Sequence, residues 1–317
     1  MPRSLLRHDI ELMLVVLFWA FNVTVVKRCL GDMGPLAFNI LRFGMAAVVL
    51  MALTLWWDGA PRVSRADAWR LLLLGFLGHA AYQLCFVLGL ARTTATATAL
   101  IFGSTPVVVG VLSRLAGHER IGWAGAGGAL LAFAGVALIV RGAPAGQAAS
   151  SHGSWTGNLL VMAAVLFWSA YTVLSSDLLR RHSPLRVTAL SLTAGTAMML
   201  PVSIGPLMSQ DWSAVPPIAW AGLIYSFIFA LVVSYILWYR SVRAVGNLRT
   251  ALYSNLVPVF GALFGVWLLD ERLSAGVGMG GALVLGGIVL SRWSDAIRRR
   301  RRGVRLDAPE AVEAGEA

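Results

Sequence analysis

The stretch Val-Leu-Phe-Trp at residues 16–19, inside the apolar run IELMLVVLFWAFNVTVV at 10–26, occurs again as Val-Leu-Phe-Trp at residues 165–168. The two copies are 149 residues apart, and further pairs in the same order are spaced by 149 or 152 residues. These pairs are Pro35-Leu36 with Pro184-Leu185, Thr98-Ala99-Leu100 with Thr250-Ala251-Leu252, and Pro106-Val107 with Pro258-Val259. Order, spacing and residue type together indicate an internal duplication.

The composition places the chain in a lipid bilayer. Of its 317 residues, 58% are apolar and 13% are charged, and the mean hydropathy is +0.74. A soluble domain carries about a quarter charged residues. The net charge of +11 comes mostly from arginines beside apolar runs, as membrane topology requires, which argues against a nucleic-acid partner. Two cysteines give neither a disulfide framework nor a metal site, so we expect no metal and no cofactor.

Ten apolar runs are long enough to be membrane spans. A bilayer core of about 30 Å needs roughly 20 apolar residues in a helix. The runs are 10–26, 36–57, 69–90, 96–115, 123–140, 157–178, 185–206, 217–238, 248–268 and 275–293. Each half of the duplication holds five spans, so the second half enters the membrane in the opposite direction. We therefore predict an all-α polytopic membrane protein with ten transmembrane helices in two inverted five-helix repeats, residues 10–140 and 157–293.

Charge bias predicts the orientation in the membrane. One set of alternate loops and tails holds twenty Lys and Arg residues and the other set holds five, and the basic set faces the cytoplasm. We expect residues 1–9 to be a cytoplasmic N-terminus and residues 141–156 to be an extracytoplasmic linker. Residues 294–317, which carry five consecutive arginines and then a Pro/Ala/Glu-rich stretch, are predicted to be a disordered cytoplasmic tail.

The order of several motifs resembles a known family. They are Phe18-Trp19-x-x-Asn22 followed by Lys27, the triplet Leu41-Arg42-Phe43, the Pro106 and Pro258 helices ending in Glu119-Arg120 and Glu271-Arg272, and the glycine-rich helices five and ten. Together they are similar to the EamA-like family of the drug/metabolite transporter superfamily. The resemblance implies an inner-membrane carrier of ten spans, often an exporter of amino acids or related metabolites. It also implies a central cavity formed mainly by helices three, four, eight and nine.

Ionisable groups deep in a span are costly and are candidates for function. Arg42 lies about 9 Å from the start of the second span at 1.5 Å per residue, and His79 lies near the middle of the third. Arg42 is either a structural residue, tied to neighbouring carbonyls or snorkelling to the outer interface, or a functional charge. His79 is either a neutral imidazole hydrogen-bonded between helices or a proton-coupling group. Tyr82 and Gln83 extend a polar stripe that must face protein or a cavity.

Two tryptophans and two prolines occupy equivalent positions in the halves. Trp19 and Trp168 fall near midspan, too deep for interfacial anchors, and are either core packing or walls of a cavity. Pro106 and Pro258 are predicted to break helices four and nine, which marks transporter binding sites, although inherited kinks would give the same pattern. The predicted substrate-binding residues are Trp19, Asn22, His79, Tyr82, Gln83, Phe102, Trp168, Tyr171, Tyr253 and Asn255.

These residues favour a transporter over an enzyme. No acidic residue lies deep in a span, which argues against carboxylate-driven multidrug exporters and against acid–base catalysis. No P-loop is present, so transport would use gradients. The leading hypothesis is a secondary carrier, more often monomeric than dimeric, that exports small amphipathic metabolites, most of all amino acids, by alternating access. The alternatives are a sugar-phosphate or nucleotide-sugar carrier, which would need several buried cations, and a non-transport integral membrane protein.

Overall fold

The computed structural model describes residues 3–60, 63–115, 123–141, 153–238, 240–241, 253, 256–270 and 275–301. The described residues form helices and no strand. We number the helices α1 to α10 in the order of the predicted spans. Their bounds are Arg3–Cys29 (α1), Pro35–Trp57 (α2), Arg65–Arg92 (α3), Ala95–Phe102 and Thr105–Leu115 (α4), Trp123–Arg141 (α5), Gly153–Leu179 (α6), Pro184–Ser209 (α7), Pro217–Trp238 (α8), Val257–Leu268 (α9) and Ala275–Arg301 (α10).

Seven of the described helices are long and apolar enough to cross a bilayer, as judged by length and composition. They are α1, α2, α3, α4, α6, α7 and α8, and they coincide with seven of the predicted spans. The fifth predicted span corresponds to α5, and the ninth and tenth correspond to the apolar stretches Val259–Leu268 and Gly278–Gly287. The first part of the ninth span lies outside the described residues. The chain is thus an all-α polytopic membrane protein.

Short polar residues begin several of these helices. The Ser64 side chain accepts a hydrogen bond from the backbone N–H of Asp67, and Thr94 and Ser183 do the same for α4 and α7. Such caps satisfy N–H groups that have no partner within the helix. Proline in the first turn supports α2, α7 and α8, because its missing N–H is not needed there.

Helices at equivalent positions of the two halves pack against each other. Helix α5 meets α10 through glycines, since a Cβ on Gly135 would collide with the Gly280 carbonyl and a Cβ on Gly287 with that of Gly128. At the 152-residue spacing Gly287 corresponds to Gly135 and Gly280 to Gly128, so the crossing is built from two copies of one contact. Glycine permits this close approach of two backbones. We call the pairs α5–α10 and α2–α7 the frame.

The frame pair α2–α7 is joined along its length and at both ends. Apolar side chains of α2 and α7 pack together in one buried cluster that includes Phe43, Leu50, Leu192 and Met199. At the end predicted to be cytoplasmic, the Ser183 hydroxyl donates to the Asp58 carboxylate, and Arg186 Nη2 donates to the Asp58 carbonyl at 2.6 Å. At the other end the Gly34 N–H donates to Gln210 Oε1 at 2.8 Å.

The loop contacts follow the same repeat relation. Ser183 corresponds to Gly34 at a spacing of 149, and Gln210 corresponds to Asp58 at 152. Next to the charged contact, Asp67 accepts from Arg181 at 2.8 Å and from His182 at 3.0 Å. The α2–α7 pair is therefore fastened at both ends by related loops, with ionic groups at one end and neutral amides at the other.

Candidate substrate site

Helices α3 and α8 each contain a π-helical segment at the same point of the repeat. The segments are Phe76–Ala81 in α3 and Ile228–Val233 in α8, 152 residues apart. The Tyr82 N–H donates to the Leu77 carbonyl, and the Ser234 N–H donates to the Phe229 carbonyl, five residues back in each case. Such segments widen the helix, bend it and occur frequently at functional sites.

Aromatic side chains of α3, α4 and α6 form a continuous cluster beside the first π segment. Ring centroids lie 5.1 Å apart for Tyr82 and Trp168, 5.2 Å for Trp168 and Tyr171, and 6.1 Å for Tyr82 and Phe102. Phe86 completes the group, 5.8 Å from Phe102. Four of the predicted substrate-binding residues, Tyr82, Phe102, Trp168 and Tyr171, are thus brought together. We call this group the α3 aromatic cluster.

His79 lies inside the first π segment and is 1% exposed. Its Nε2 atom is 3.1 Å from Ser191 Oγ of α7, and its ring lies edge-on to Tyr171 at 5.3 Å. Its Nδ1 atom has no hydrogen-bond partner in the described part of the chain. This is the geometry expected for an imidazole hydrogen-bonded between helices, and it places His79 at the edge of the α3 aromatic cluster.

Trp19 does not meet Trp168. Its indole N–H donates to the Ala230 carbonyl of the second π segment at 2.9 Å, and its ring lies 5.1 Å from Trp238. Nearby, Phe18 packs 5.2 Å from Phe229. Phe21 lies 5.5 Å from Phe264 of α9, so a second aromatic group occupies α1, α8 and α9, the equivalents of α6, α3 and α4. The two tryptophans lie in separate, related places rather than on one shared wall.

A polar network centred on Arg42 joins four helices. Arg42 is 1% exposed, and its Nη2 atom donates to Gln83 Oε1 at 2.7 Å and to Asn39 Oδ1 at 3.0 Å. Its Nη1 atom donates to Ser226 Oγ at 2.9 Å, and that hydroxyl donates to Asn22 Oδ1 at 2.6 Å. Residues from α1, α2 and α3 are thereby linked to α8 of the other half. We call this group the Arg42 network.

Helix α4 is interrupted at Gly103 and Ser104, two residues before Pro106. A proline at this position leaves the carbonyl of Phe102 without its usual donor, and the Thr105 hydroxyl donates to that carbonyl at 2.6 Å. The Ser104 hydroxyl donates to the Ile101 carbonyl at 2.7 Å. The polar residues beside the proline thus satisfy the carbonyls at the break, and the break brings Phe102 to the α3 aromatic cluster.

The ninth helix is described from Val257, with Pro258 in its first turn. Tyr253 is helical and half-buried, whereas Asn255 lies outside the described residues. Gly261 lies so close to Ala99 of α4 that a Cβ would collide with the Ala99 side chain. Helices α4 and α9, the two helices of the matched prolines, therefore pack closely together at Ala99 and Gly261.

Sequence reasoning missed several members of the site. Asn39 lies one turn before Arg42 on the same helix face, a spacing that could have identified it. Ser226 and Ser191 belong to distant helices, and no local pattern marks them. Among the described residues, no three His, Cys, Asp or Glu side chains converge as metal ligands.

Sequence similarity to known proteins identifies the family of this chain. The sequence pattern of the EamA-like transporter family matches the chain twice, over residues 7–141 and 155–293. An uncharacterized transporter of Archaeoglobus fulgidus is 28% identical over 88% of this chain and 95% of its own length. The uncharacterized transporter YetK of Bacillus subtilis is 28% identical over 79% of this chain and 76% of its own.

One similar protein has a named cargo. A probable terminal-alkyne amino-acid exporter of Streptantibioticus cattleyicolor is 27% identical over 94% of this chain and 95% of its own length. A solved crystal structure has the same fold, with a TM-score of 0.63, 21% identity, and coverage of 94% of this chain and 99% of that one. The sequence matches in both halves therefore establish that the chain belongs to the EamA-like transporter family.

Proposed function

We propose that this transporter is a secondary carrier that exports small amphipathic metabolites, amino acids first among them, by alternating access. The observation that carries the proposal is the pair of π segments at equivalent positions of α3 and α8. A carrier needs elements that bend at matching places in its two halves, so that the substrate site opens first to one side and then to the other.

The packing separates a rigid part from a part able to move. Glycine contacts hold the frame pair α5–α10 together. A buried apolar cluster and loop contacts at both ends hold the frame pair α2–α7 together. The interruptions fall elsewhere, in α3, α4 and α8, and Pro258 stands at the start of the described part of α9. Small changes at these interruptions would tilt the halves of α3, α4 and α8 against a fixed frame, which is a known form of conformational switching.

The chemistry of the site supports a small amphipathic substrate. The α3 aromatic cluster offers faces for an apolar group, and Gln83 of the Arg42 network is the residue next to Tyr82 of the cluster. A sugar phosphate would call for several cations at depth. Of the Lys and Arg side chains that the structure describes, only Arg42 is buried. The amino-acid exporter of Streptantibioticus cattleyicolor, similar over almost the full length, supports the same class.

Counterflow in proteoliposomes tests the proposal directly. Purified protein is reconstituted into vesicles loaded with one unlabelled compound, and entry of the labelled compound is followed. The panel contains aromatic, branched and small amino acids together with sugar phosphates. We expect counterflow for amino acids that have an apolar side chain. Counterflow of sugar phosphates without any amino acid would overturn the substrate class, and the absence of counterflow for every compound would overturn the carrier proposal.

A further inference from the structure

The charge of Arg42 has no acidic partner in the part of the chain that the structure describes. The three acceptors of its guanidinium, Ser226 Oγ, Asn39 Oδ1 and Gln83 Oε1, are all neutral. Its Nε atom has no hydrogen-bond partner there. The rings of Phe38 and Phe43 lie 5.5 and 5.1 Å from the guanidinium carbon, so the charge is enclosed by apolar and neutral groups.

A buried ion without a counter-ion is unfavourable. Charged groups inside membrane proteins pair with opposite charges or line a pathway, because neutral hydrogen bonds replace only part of the lost hydration. A structural tie between helices needs only an amide or a hydroxyl at this position. An arginine offers in addition a full positive charge and a planar set of donors, which fit a carboxylate. The Arg42 network is therefore arranged for an anion that the described part of the protein does not itself supply.

The position of the network matches the proposed substrate. Its acceptors lie on α2 and α3 of the first half and on α8 of the second half. Two of these helices, α3 and α8, are the ones that carry π segments. Gln83, which accepts from Arg42, is adjacent in sequence to Tyr82 of the α3 aromatic cluster. A ligand with a carboxylate at one end and an apolar group at the other would thus meet the cation of α2, which contacts α3 through Gln83, and the aromatic faces of α3.

Resting on the proposed function, we propose that Arg42 binds the carboxylate of the transported metabolite, and that this requirement defines the substrates as monocarboxylates with an apolar portion. The carboxylate replaces the amide oxygen of Gln83 as acceptor from Nη2 and accepts a second hydrogen bond from the open Nε–H. Release of Gln83 from Arg42 loosens the link between α2 and α3, so that binding at this site is coupled to movement of the π-containing helix.

Matched acids and amides test the role of the carboxylate. Counterflow is measured for an apolar amino acid and for its carboxamide, in the wild type and in Arg42→Gln and Arg42→Lys. In the wild type the acid should be favoured over the amide by about ten- to a hundredfold, as expected for loss of charge-assisted hydrogen bonds. Arg42→Gln should abolish the preference and Arg42→Lys should keep part of it. The exposed Arg92, which donates to the Leu88 carbonyl, provides the control Arg92→Gln, which should keep the full preference.

A binding measurement covers the case in which the Arg42 variants do not fold. The melting temperature of the wild type is recorded with increasing acid or amide, since a ligand that binds the folded state raises it. Stabilisation by the acid alone supports the assignment, and equal stabilisation by both compounds overturns it. An unchanged acid preference in folded Arg42→Gln also overturns it. Failure of the carrier proposal is distinct, because it would appear as absent counterflow even where the acid stabilises the protein.

Discussion

Replacing Gly195 of α7 by alanine should destabilise the protein and impair transport, because this glycine presses against the π segment of α3. A Cβ at this position would lie 2.5 Å from the Gly75 carbonyl oxygen and 2.5 Å from the His79 Cβ. Ordinary contact begins at 3.4 Å, so the two helices must separate by about 0.9 Å (3.4 − 2.5) at a site where both neighbours are held by the backbone. The methyl group cannot be accommodated by rotating a flexible side chain.

The size of the effect follows from two opposing terms. Overpacking of this kind costs about 1–3 kcal/mol, whereas a Gly-to-Ala change inside a helix gains about 0.5–1 kcal/mol. Gly44 of α2 isolates the second term, because nothing lies within 4 Å of a Cβ built there. The difference in stability between Gly195→Ala and Gly44→Ala should therefore equal the overpacking cost, about 1–3 kcal/mol.

Thermal unfolding in detergent, followed by the fluorescence of the 12 tryptophans, measures this difference. At about 2–4 °C per kcal/mol, Gly195→Ala should melt roughly 2–12 °C below Gly44→Ala. Counterflow should fall in Gly195→Ala but not in Gly44→Ala. The new methyl group would displace the α3 backbone together with His79, which lies beside the α3 aromatic cluster. Equal melting temperatures for the two variants would refute the reasoning that α3 and α7 are in backbone contact at the π segment.

Three further predictions concern orientation, the loop contacts and the tryptophans. Cysteines introduced at Ser150 and at Arg180, in a chain without its native cysteines, should be labelled from opposite sides of the membrane; labelling of both from outside would contradict the topology. Asp67→Asn should lower the melting temperature, and the loss should shrink in high salt because the contact is ionic; a loss independent of salt would exclude the ionic explanation. Trp19→Phe should cost about 0.5–1.5 kcal/mol for its lost hydrogen bond, whereas Trp168→Phe, whose indole has no such acceptor among the described residues, should mainly reduce transport of bulky substrates in counterflow.

The spans could be predicted from the sequence because their signal is local. An apolar run of bilayer length predicts a helix without knowledge of its neighbours. Charged and proline-rich breaks separate most of the runs, which is why seven described helices coincide with predicted spans. The duplication could also be recognised from the sequence, since it depends on spacing along the chain alone.

The residues of the candidate site could be predicted from the sequence only in part. Four of the residues predicted to bind substrate, Tyr82, Phe102, Trp168 and Tyr171, lie together, whereas Trp19 lies apart from them; their role in binding stays a prediction. Equivalent positions in two inverted repeats are related by rotation about an axis, and residues away from that axis end up on opposite sides of it. Repetition in sequence therefore predicts similar surroundings rather than contact.

Contacts between distant segments gave no signal in the sequence. Ser226 lies 184 residues from Arg42, and no periodicity joins the two. The π segments were also missed, because five-residue backbone bonds arise where the helix meets a neighbour, as Gly75 meets Gly195. A propensity scale contains no information of that kind.

The matching position of the π segments also bears on the history of the chain. A widened turn at the same place in both halves is most simply inherited from one ancestral five-helix unit, so the bend is older than the duplication. Two copies of such a unit would have had to insert in opposite directions to form the same packing. The unequal distribution of Lys and Arg between alternate loops would then hold each copy to its own direction.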